Sequence, residues 1–360
     1  MSEDRRAYRV IQWATGTIGK YALRSIVDDP KLELAGVWVH SDSKVGKDAG
    51  EIAGIDPTGI VATGDVDEIL ALDADCVHYA PLRSDLDEIC LILESGKNVV
   101  TPTGYVFLKD PEVVDRLEHS CRKGGVSIHG TGIHPGFAAD RLPIVLSALC
   151  GKIDKITVYE VADFSQMGES PEMVFGLLGF GMTADEAHKS PPALLEVMSG
   201  IFQESMEMIA AGLGFEIESF STAHEVALAT RDVQILAGTI PKGCVAGQHF
   251  EYTALIGGVP VIVFQTYWRM DDELEPNWEH TADLRYTVLI EGDPSLKCTL
   301  ETASSYSGRS VEKVHPAQLG ILLATLNGTN SIPAVCDAGP GVRTSLDLPL
   351  IRATDVLRGN

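Results

Sequence analysis

YRVIQWATGTIG, the stretch from Tyr8 to Gly19, decides the fold. Its first part, Tyr8 to Ala14, is a near-continuous apolar run, as expected of a parallel strand buried on both faces. Ala14-Thr15-Gly16-Thr17-Ile18-Gly19 then follows the spacing G-x-G-x-x-G with alanine at its first position. A helix is predicted from Thr17 to Asp28, ended by Asp29-Pro30, and LELAGVWVH (Leu32 to His40) is predicted as the second strand. Strand, glycine turn, helix and strand in this order make a βαβ unit. Gly16 lets the backbone approach a pyrophosphate, Gly19 lets helix and strand pack closely, and the helix N-terminus attracts the negative charge. Ala14, Thr15, Gly16, Thr17, Ile18 and Gly19 are therefore candidate cofactor contacts.

Outward from this unit the alternation continues. A short strand is predicted near Gly59 to Ala62 and strands at Ala74 to Ala80, Asn98 to Pro102 and Val126 to Gly132. Helices are predicted at Val66 to Ala71, Asp85 to Ser95 and Asp110 to Gly124. Such alternation specifies an α/β, Rossmann doubly wound parallel sheet. After Phe137 the rhythm changes: a helix (Ala138 to Cys150), a long strand (Lys152 to Phe164), a helix-rich stretch (Pro171 to Leu213), then strands that read as antiparallel. Two β-rich runs flank Gly257-Gly258, a hairpin signal, and LRYTVLIEGDP adds another strand. This is a second, mixed α/β (α+β) domain. Val314 to Asn330 reads as a helix and NSIPAVCDAGPGV (Asn330 to Val342) as a Pro/Gly-rich segment. The division is residues 1–137, 138–313 and a C-terminal segment 314–360.

At 360 residues the chain exceeds one ordinary core, which agrees with two domains. A formal charge of −23 disfavours nucleic acid and anionic membrane, both of which select basic surfaces. The start, MSEDRRAYRV, has no signal-peptide pattern, and no stretch has the ~20 uninterrupted apolar residues of a membrane span, so a cytoplasmic location is expected. Seven cysteines without a Cys-x-x-Cys pair suggest neither a metal site nor a redox dithiol.

The end of the second strand distinguishes the cofactors. NAD enzymes carry an acid there for the ribose hydroxyls, and this chain has Val39, His40 and Ser41. Ser41 suits a 2′-phosphate, and His40, Lys44 and Lys47 add positive charge or stacking, which favours NADP; Asp42 leaves NAD open. Ligands of open α/β sheets gather at the carboxyl edge, which carries Tyr79-Ala80-Pro81, Thr101-Pro102-Thr103 and Gly130-Thr131-Gly132. By strand order, Tyr79 and Ala80 cover ribose and phosphate, while Thr101, Pro102 and Thr103 flank the nicotinamide.

With these motifs the chain resembles the family of 2,4-diaminopentanoate dehydrogenases and native amine dehydrogenases, whose dinucleotide domain is related to dihydrodipicolinate reductase. The resemblance is carried by ATGTIG, KVGKDAGE (Lys44 to Glu51), GTGIHPGFAAD (Gly130 to Asp140) and VADFS (Val161 to Ser165). GFGMTADEA (Gly179 to Ala187), GQHFEYTALIGGVPV (Gly247 to Val261) and NSIPAV (Asn330 to Val335) extend it over nearly the whole chain. It implies a second domain that dimerises, a homodimer, and a substrate lying between the nicotinamide and that domain. The final segment would return to the first domain, with Asn330 joining the cofactor site. The implied reaction is reductive amination of a small ketone or aldehyde, or oxidation of a primary amine, by hydride transfer at C4 of the nicotinamide.

The chain departs from that family where a glutamate is expected after the fifth strand: Gly104 and Tyr105 stand there. A phenol with an ordinary pKa near ~10 is a poor base at neutral pH. A compensating acid is Glu160, which replaces a family arginine in the long strand and would bind an ammonium or iminium. Period-2 alternation puts Asp163 on the opposite face. His134 is placed to relay protons, and Phe137, Phe175 and Trp268 to wall an apolar substrate pocket. Two alternatives accompany the amine dehydrogenase reading: an NADPH-dependent imine or carbonyl reductase that needs no ammonia, and a dinucleotide-binding regulatory protein without turnover.

Overall fold

The protein is described here from a computed structural model, which covers residues 6–165, 171–189, 193–278, 284–303 and 318–354. It divides into two compact units, Met1–Phe137 with Ile321–Asn360, and Ala138–Gly320.

In the first unit the predicted alternation is present. It runs β1 (Tyr8–Trp13), α1 (Thr17–Asp28), β2 (Leu32–Trp38), α2 (Ala49–Ala53), β3 (Ala62–Thr63), α3 (Val66–Leu70) and β4 (Cys76–Tyr79). It continues with α4 (Leu86–Glu94), β5 (Asn98–Thr101), α5 (Pro111–Gly124) and β6 (Ser127–Gly130). Side chains leave a strand alternately to its two faces, so one apolar run feeds two cores. Val10 joins Leu23, Ile26, Val37 and Ala53 beneath one helix layer, and Ile11 and Trp13 join Ile69, Ile89, Ile92 and Leu117 beneath the other. Each fully buried side chain of this kind contributes ~1.5–3 kcal/mol. The helices begin where caps are written into the sequence: Asp65, Asp85 and Asp110 each accept backbone N–H groups of the following turn. Asp48 receives the N–H groups of Gly50, Thr58 and Gly59, pinning the loop before β3 and holding its carboxyl below the usual range, the Thr58 bond first among the causes.

The second unit contains α6 (Arg141–Ser147), β7 (Lys152–Asp163), a π-helical turn (Glu172–Leu177), α7 (Ala184–Lys189) and α8 (Ala193–Leu213). There follow β8 (Ser219–Ala229), β9 (Val233–Ile235), β10 (Gly238–Ile240), β11 (Val245–Ile256) and β12 (Val259–Arg269). The last strands are β13 (Leu274–Glu275), β14 (Leu284–Asp293) and β15 (Leu296–Glu301). The seven-stranded sheet has the order β13-β8-β11-β12-β7-β14-β15. The hairpin at Gly257-Gly258 is present, both glycines at positive φ as a two-residue turn requires. Two expectations need correction. β7 and β12 pair in parallel, so this sheet is mixed. The helix expected from Ala138 is shorter, with turns up to Asp140, its N-cap.

The chain re-enters the first unit through α9 (Leu319–Cys336) and β16 (Gly341–Arg343). β16 pairs in parallel with β6, giving the sheet order β16-β6-β5-β4-β1-β2-β3, parallel throughout. The expected Pro/Gly-rich segment at Asn330 is helix: α9 runs through Pro333 and buries Ile332 and Val335 in the core. α9 is long and apolar enough to cross a membrane, but its Thr325, Thr329, Ser331, Ile332 and Val335 are buried inside the unit. Residues 314–317, expected to begin this helix, lie outside the described residues.

Candidate active site

At the carboxyl end of β1 the chain turns through Ala14, whose φ of +67° is left-handed, into α1, whose N-cap is Gly16. A Cβ on Gly19 would stand 2.2 Å from the carbonyl oxygen of Ala14, so only glycine permits this approach of helix to turn. A Cβ on Gly16 would meet nothing within 4 Å: the mouth of the turn is open. α1 starts with neither a side-chain cap nor an acidic residue in its first turn. Lys44 Nζ donates to the carbonyl oxygen and Oγ1 of Thr15 at 2.9 and 3.0 Å. Burial, and secondarily the like charge of Lys20, lowers the Lys44 pKa. Uncapped N–H groups, an open mouth and nearby cations fit an anionic pyrophosphate.

The neighbouring loops differ in what they offer. His40 and Ser41 are exposed, His40 tilted against Trp38, Ser41 hydrogen-bonded to Ser43 at 2.8 Å. Lys47 pairs with Glu51 at 2.9 Å and so differs from Lys44, which reaches the turn. Tyr79 is fully buried, donating to Glu88 at 2.6 Å and accepting from the Asp85 N–H. Burial, with Glu88 adding to it, pushes its phenol pKa up, so Tyr79 braces the loop from below while Ala80 follows at its edge. Thr101 and Thr103 share a hydroxyl hydrogen bond of 2.7 Å around Pro102.

Gly104 and Tyr105 both take positive φ, +98° and +65°. For tyrosine this conformation costs ~1–2 kcal/mol. Their backbone crosses directly over Gly130, where a Cβ would stand 2.2 Å from Tyr105 C. The half-buried Tyr105 side chain packs against the core layer of Trp13 and Leu117. The loop from Thr131 to Gly136 folds on itself, a Cβ on Gly136 falling 2.4 Å from Gly132 N, and carries the buried His134. Asn327 of α9 fixes this loop, its Nδ2 lying 2.8 Å from Thr131 Oγ1, 2.7 Å from Gly132 O and 3.2 Å from Gly136 O. Asn330, one turn further along the helix, is half-buried.

In the second unit Glu160 sits mid-strand in β7, 8% exposed, with Thr266 of β12 and Tyr286 of β14 as its register neighbours. Trp268 Nε1 donates to Glu160 Oε2 at 3.1 Å. Tyr286 is wholly buried; burial first, then the charge of Glu160 and a hydrogen bond to it, raises the phenol pKa far above its ordinary value, so it remains a donor. Tyr252 is raised by burial first and then by the charge of Glu160. Thr266 Oγ1 is buried without a hydrogen-bond partner beside this carboxylate. Asp163 caps Ser165 from the other face of the strand, as alternation requires. Trp268 also stacks on Phe164 at 4.6 Å, so it shares a site with Glu160. Phe175 does not: it lines a separate cavity of about 670 Å³ with Phe180, Met182 and Glu186. Phe137 is half-buried at the end of the first unit.

Gln12, His78, Asn327, Thr266 and Tyr286 are not among the candidate residues that the sequence singles out. For the first two a signal existed, since a polar residue in an apolar central strand demands a partner. The other three become visible only through their neighbours.

Comparison with known proteins gives the same assignment from two directions. The 2,4-diaminopentanoate dehydrogenase C-terminal domain matches residues 137–357, and the dihydrodipicolinate reductase N-terminus matches residues 10–128. An amine dehydrogenase of Streptomyces virginiae is 30% identical over 354 residues, 94% of this chain and 96% of that protein. A 2,4-diaminopentanoate dehydrogenase of Acetoanaerobium sticklandii is 27% identical over 75% of this chain and 72% of its own. The solved structure of an amine dehydrogenase from Mycobacterium smegmatis superposes with a TM-score of 0.75 at 20% identity, covering 96% of this chain and 97% of the other.

Proposed function

Since the chain belongs to the 2,4-diaminopentanoate dehydrogenase family of NAD(P)-dependent oxidoreductases, we propose that it is an amine dehydrogenase acting on a small ketone or aldehyde and ammonia, or in reverse on a primary amine. Ammonia adds to the carbonyl, a proton is taken up and water leaves, giving an iminium; in reverse, water adds to the iminium and carbonyl, ammonia and a proton are released. The nicotinamide, when bound, supplies or accepts the hydride. The observation that carries the reading is Glu160, a buried carboxylate oriented by Trp268 and Tyr286. A buried carboxylate in its ionised form favours the cationic iminium over the neutral carbonyl. Glu160 thus takes the electrostatic role of the missing family glutamate and moves the amine proton, with His134 as relay and Phe137 and Trp268 facing the substrate, while Phe175 lines the separate cavity and has no part in it.

The cofactor is held by Ala14 to Gly19 and Lys44 at the pyrophosphate, with Thr101, Pro102, Thr103 and Asn330 on the nicotinamide side. NADP is preferred, because His40 and Ser41 stand exposed where NAD enzymes keep an acid. Replacement Ser41→Asp should raise the KM for NADPH at least ~10-fold and leave that for NADH unchanged or lower. The enzyme is a cytoplasmic homodimer that joins through the sheet face opposite Glu160, where a groove of about 730 Å³ runs between Tyr159, Tyr267, Trp278 and Arg285. Sedimentation velocity should give a dimer, and Tyr267→Asp a monomer.

The test of the activity is NADPH oxidation by the purified protein over a panel of small ketones and aldehydes, with and without saturating ammonium. Turnover only with ammonium supports the proposal. Turnover indifferent to ammonium would establish instead a carbonyl reductase, the second reading, which is favoured by Gly104 and Tyr105 standing where the family carries its glutamate.

A further inference from the structure

We propose that Gln12 and His78 are a buried positioning pair that holds the glycine turn ready for the dinucleotide and allows alanine to occupy its left-handed first position. The inference rests on reading Ala14 to Gly19 as the pyrophosphate cradle.

β1 and β4 are neighbours, and Gln12 lies opposite His78 in their register. Both side chains are completely buried. Gln12 Nε2 is 2.8 Å from Ala14 O and 3.2 Å from Trp13 O. Both partners are carbonyls, so the amide nitrogen must face them and Oε1 must face away. Oε1 meets His78 Nδ1 at 2.8 Å, which therefore carries the proton and donates. Burial holds the His78 pKa down to about 4, so the ring is neutral in this tautomer at physiological pH. The hydrogen bonds thus run in one direction, from His78 through Gln12 to the carbonyl of the residue with φ +67°.

Ala14 is where G-x-G-x-x-G has its first glycine. An alanine at positive φ is strained, and its turn needs an external brace that glycine does not. Gln12 is placed to be that brace. The surroundings are cut to fit it: a Cβ on Gly19 would stand 3.1 Å from Gln12 Nε2, and one on Gly328 of α9 would stand 3.1 Å from His78 Nε2. Gln12, Ala14, Gly19, His78 and Gly328 therefore form one constellation. An apolar side chain at position 12 would serve the core better, so burial alone does not explain the amide.

The experiment is fluorescence titration of the purified full chain with NADPH and NADH. Gln12→Leu should raise Kd about tenfold. Ala14→Gly in the Gln12→Leu background should recover most of that loss, because glycine adopts the turn unaided. A merely structural glutamine would lower thermal stability without rescue of binding from position 14. Native-like Kd in Gln12→Leu, or no recovery on Ala14→Gly, overturns the proposal. If Gln12→Leu does not fold, His78→Leu should show the same pattern at about threefold, and its absence there overturns the proposal equally. Gly16→Val, whose side chain enters open space, separates the underlying reading: it should abolish binding, and unchanged binding would mean that the turn is not the cradle.

Discussion

The proposed amine chemistry rests on Glu160. Replacement by glutamine keeps its shape but removes the charge and turns one of the two acceptor oxygens beside Trp268 and Tyr286 into a donor. Turnover should fall by about 10²-fold or more, with thermal stability equal or higher because a buried charge has been removed; steady-state kinetics beside a melting curve checks both. His78 makes a prediction of a different kind. Its folded pKa is about 4 against an ordinary 6.5, so between these values the unfolded chain binds a proton that the folded chain refuses. Stability from this group is complete above about pH 6.5 and is lost as pH falls towards about 4, by about 2 kcal/mol between about pH 7 and about pH 5. Urea denaturation at the two pH values should show a smaller loss in His78→Asn than in the native protein. Glu160 is legible in the sequence as an acid standing where relatives differ. His78, a polar residue in CVHY, signals that a partner is needed but not that the partner is Gln12 across the sheet.

At the scale of elements, the first βαβ unit was readable because each piece is local: an apolar strand, glycines at fixed offsets, and a helix stopped by Asp29-Pro30. α9 continues past Asn330 although a proline inside a helix is ordinarily a stop signal, because packing of Ile332 and Val335 outweighs it. That helix matters for the site, since Asn327 holds the loop from Thr131 to Gly136 with three contacts. Asn327→Leu should destabilise the protein by about 2–4 kcal/mol, measured by chemical denaturation, because the loop's carbonyls and the Thr131 hydroxyl are left buried without their donor. A steric prediction belongs to β6. Gly130→Ala drives a methyl group into the backbone of Gly104 and Tyr105, and a loss of about 3 kcal/mol is expected in the same assay.

For the whole molecule, composition and alternation together specified a parallel doubly wound sheet followed by a mixed second unit, and both are present. The net charge of −23 disfavours nucleic acid, and the seven scattered cysteines suggest neither a metal site nor a redox dithiol. What the sequence determined by itself was everything carried by short-range periodicity: the nucleotide-binding turn, the order of strands and helices, the hairpin at Gly257-Gly258, and the family motifs. What only the tertiary structure decided was which distant side chains meet: Gln12 with His78, Asn327 with the loop at Thr131, Glu160 with Trp268 and Tyr286, and Lys44 with Thr15. The physical reason is that backbone periodicity is set by neighbours within a few residues. A buried polar group, by contrast, must find its hydrogen-bond partner wherever the fold brings one, and that position along the chain leaves no local trace.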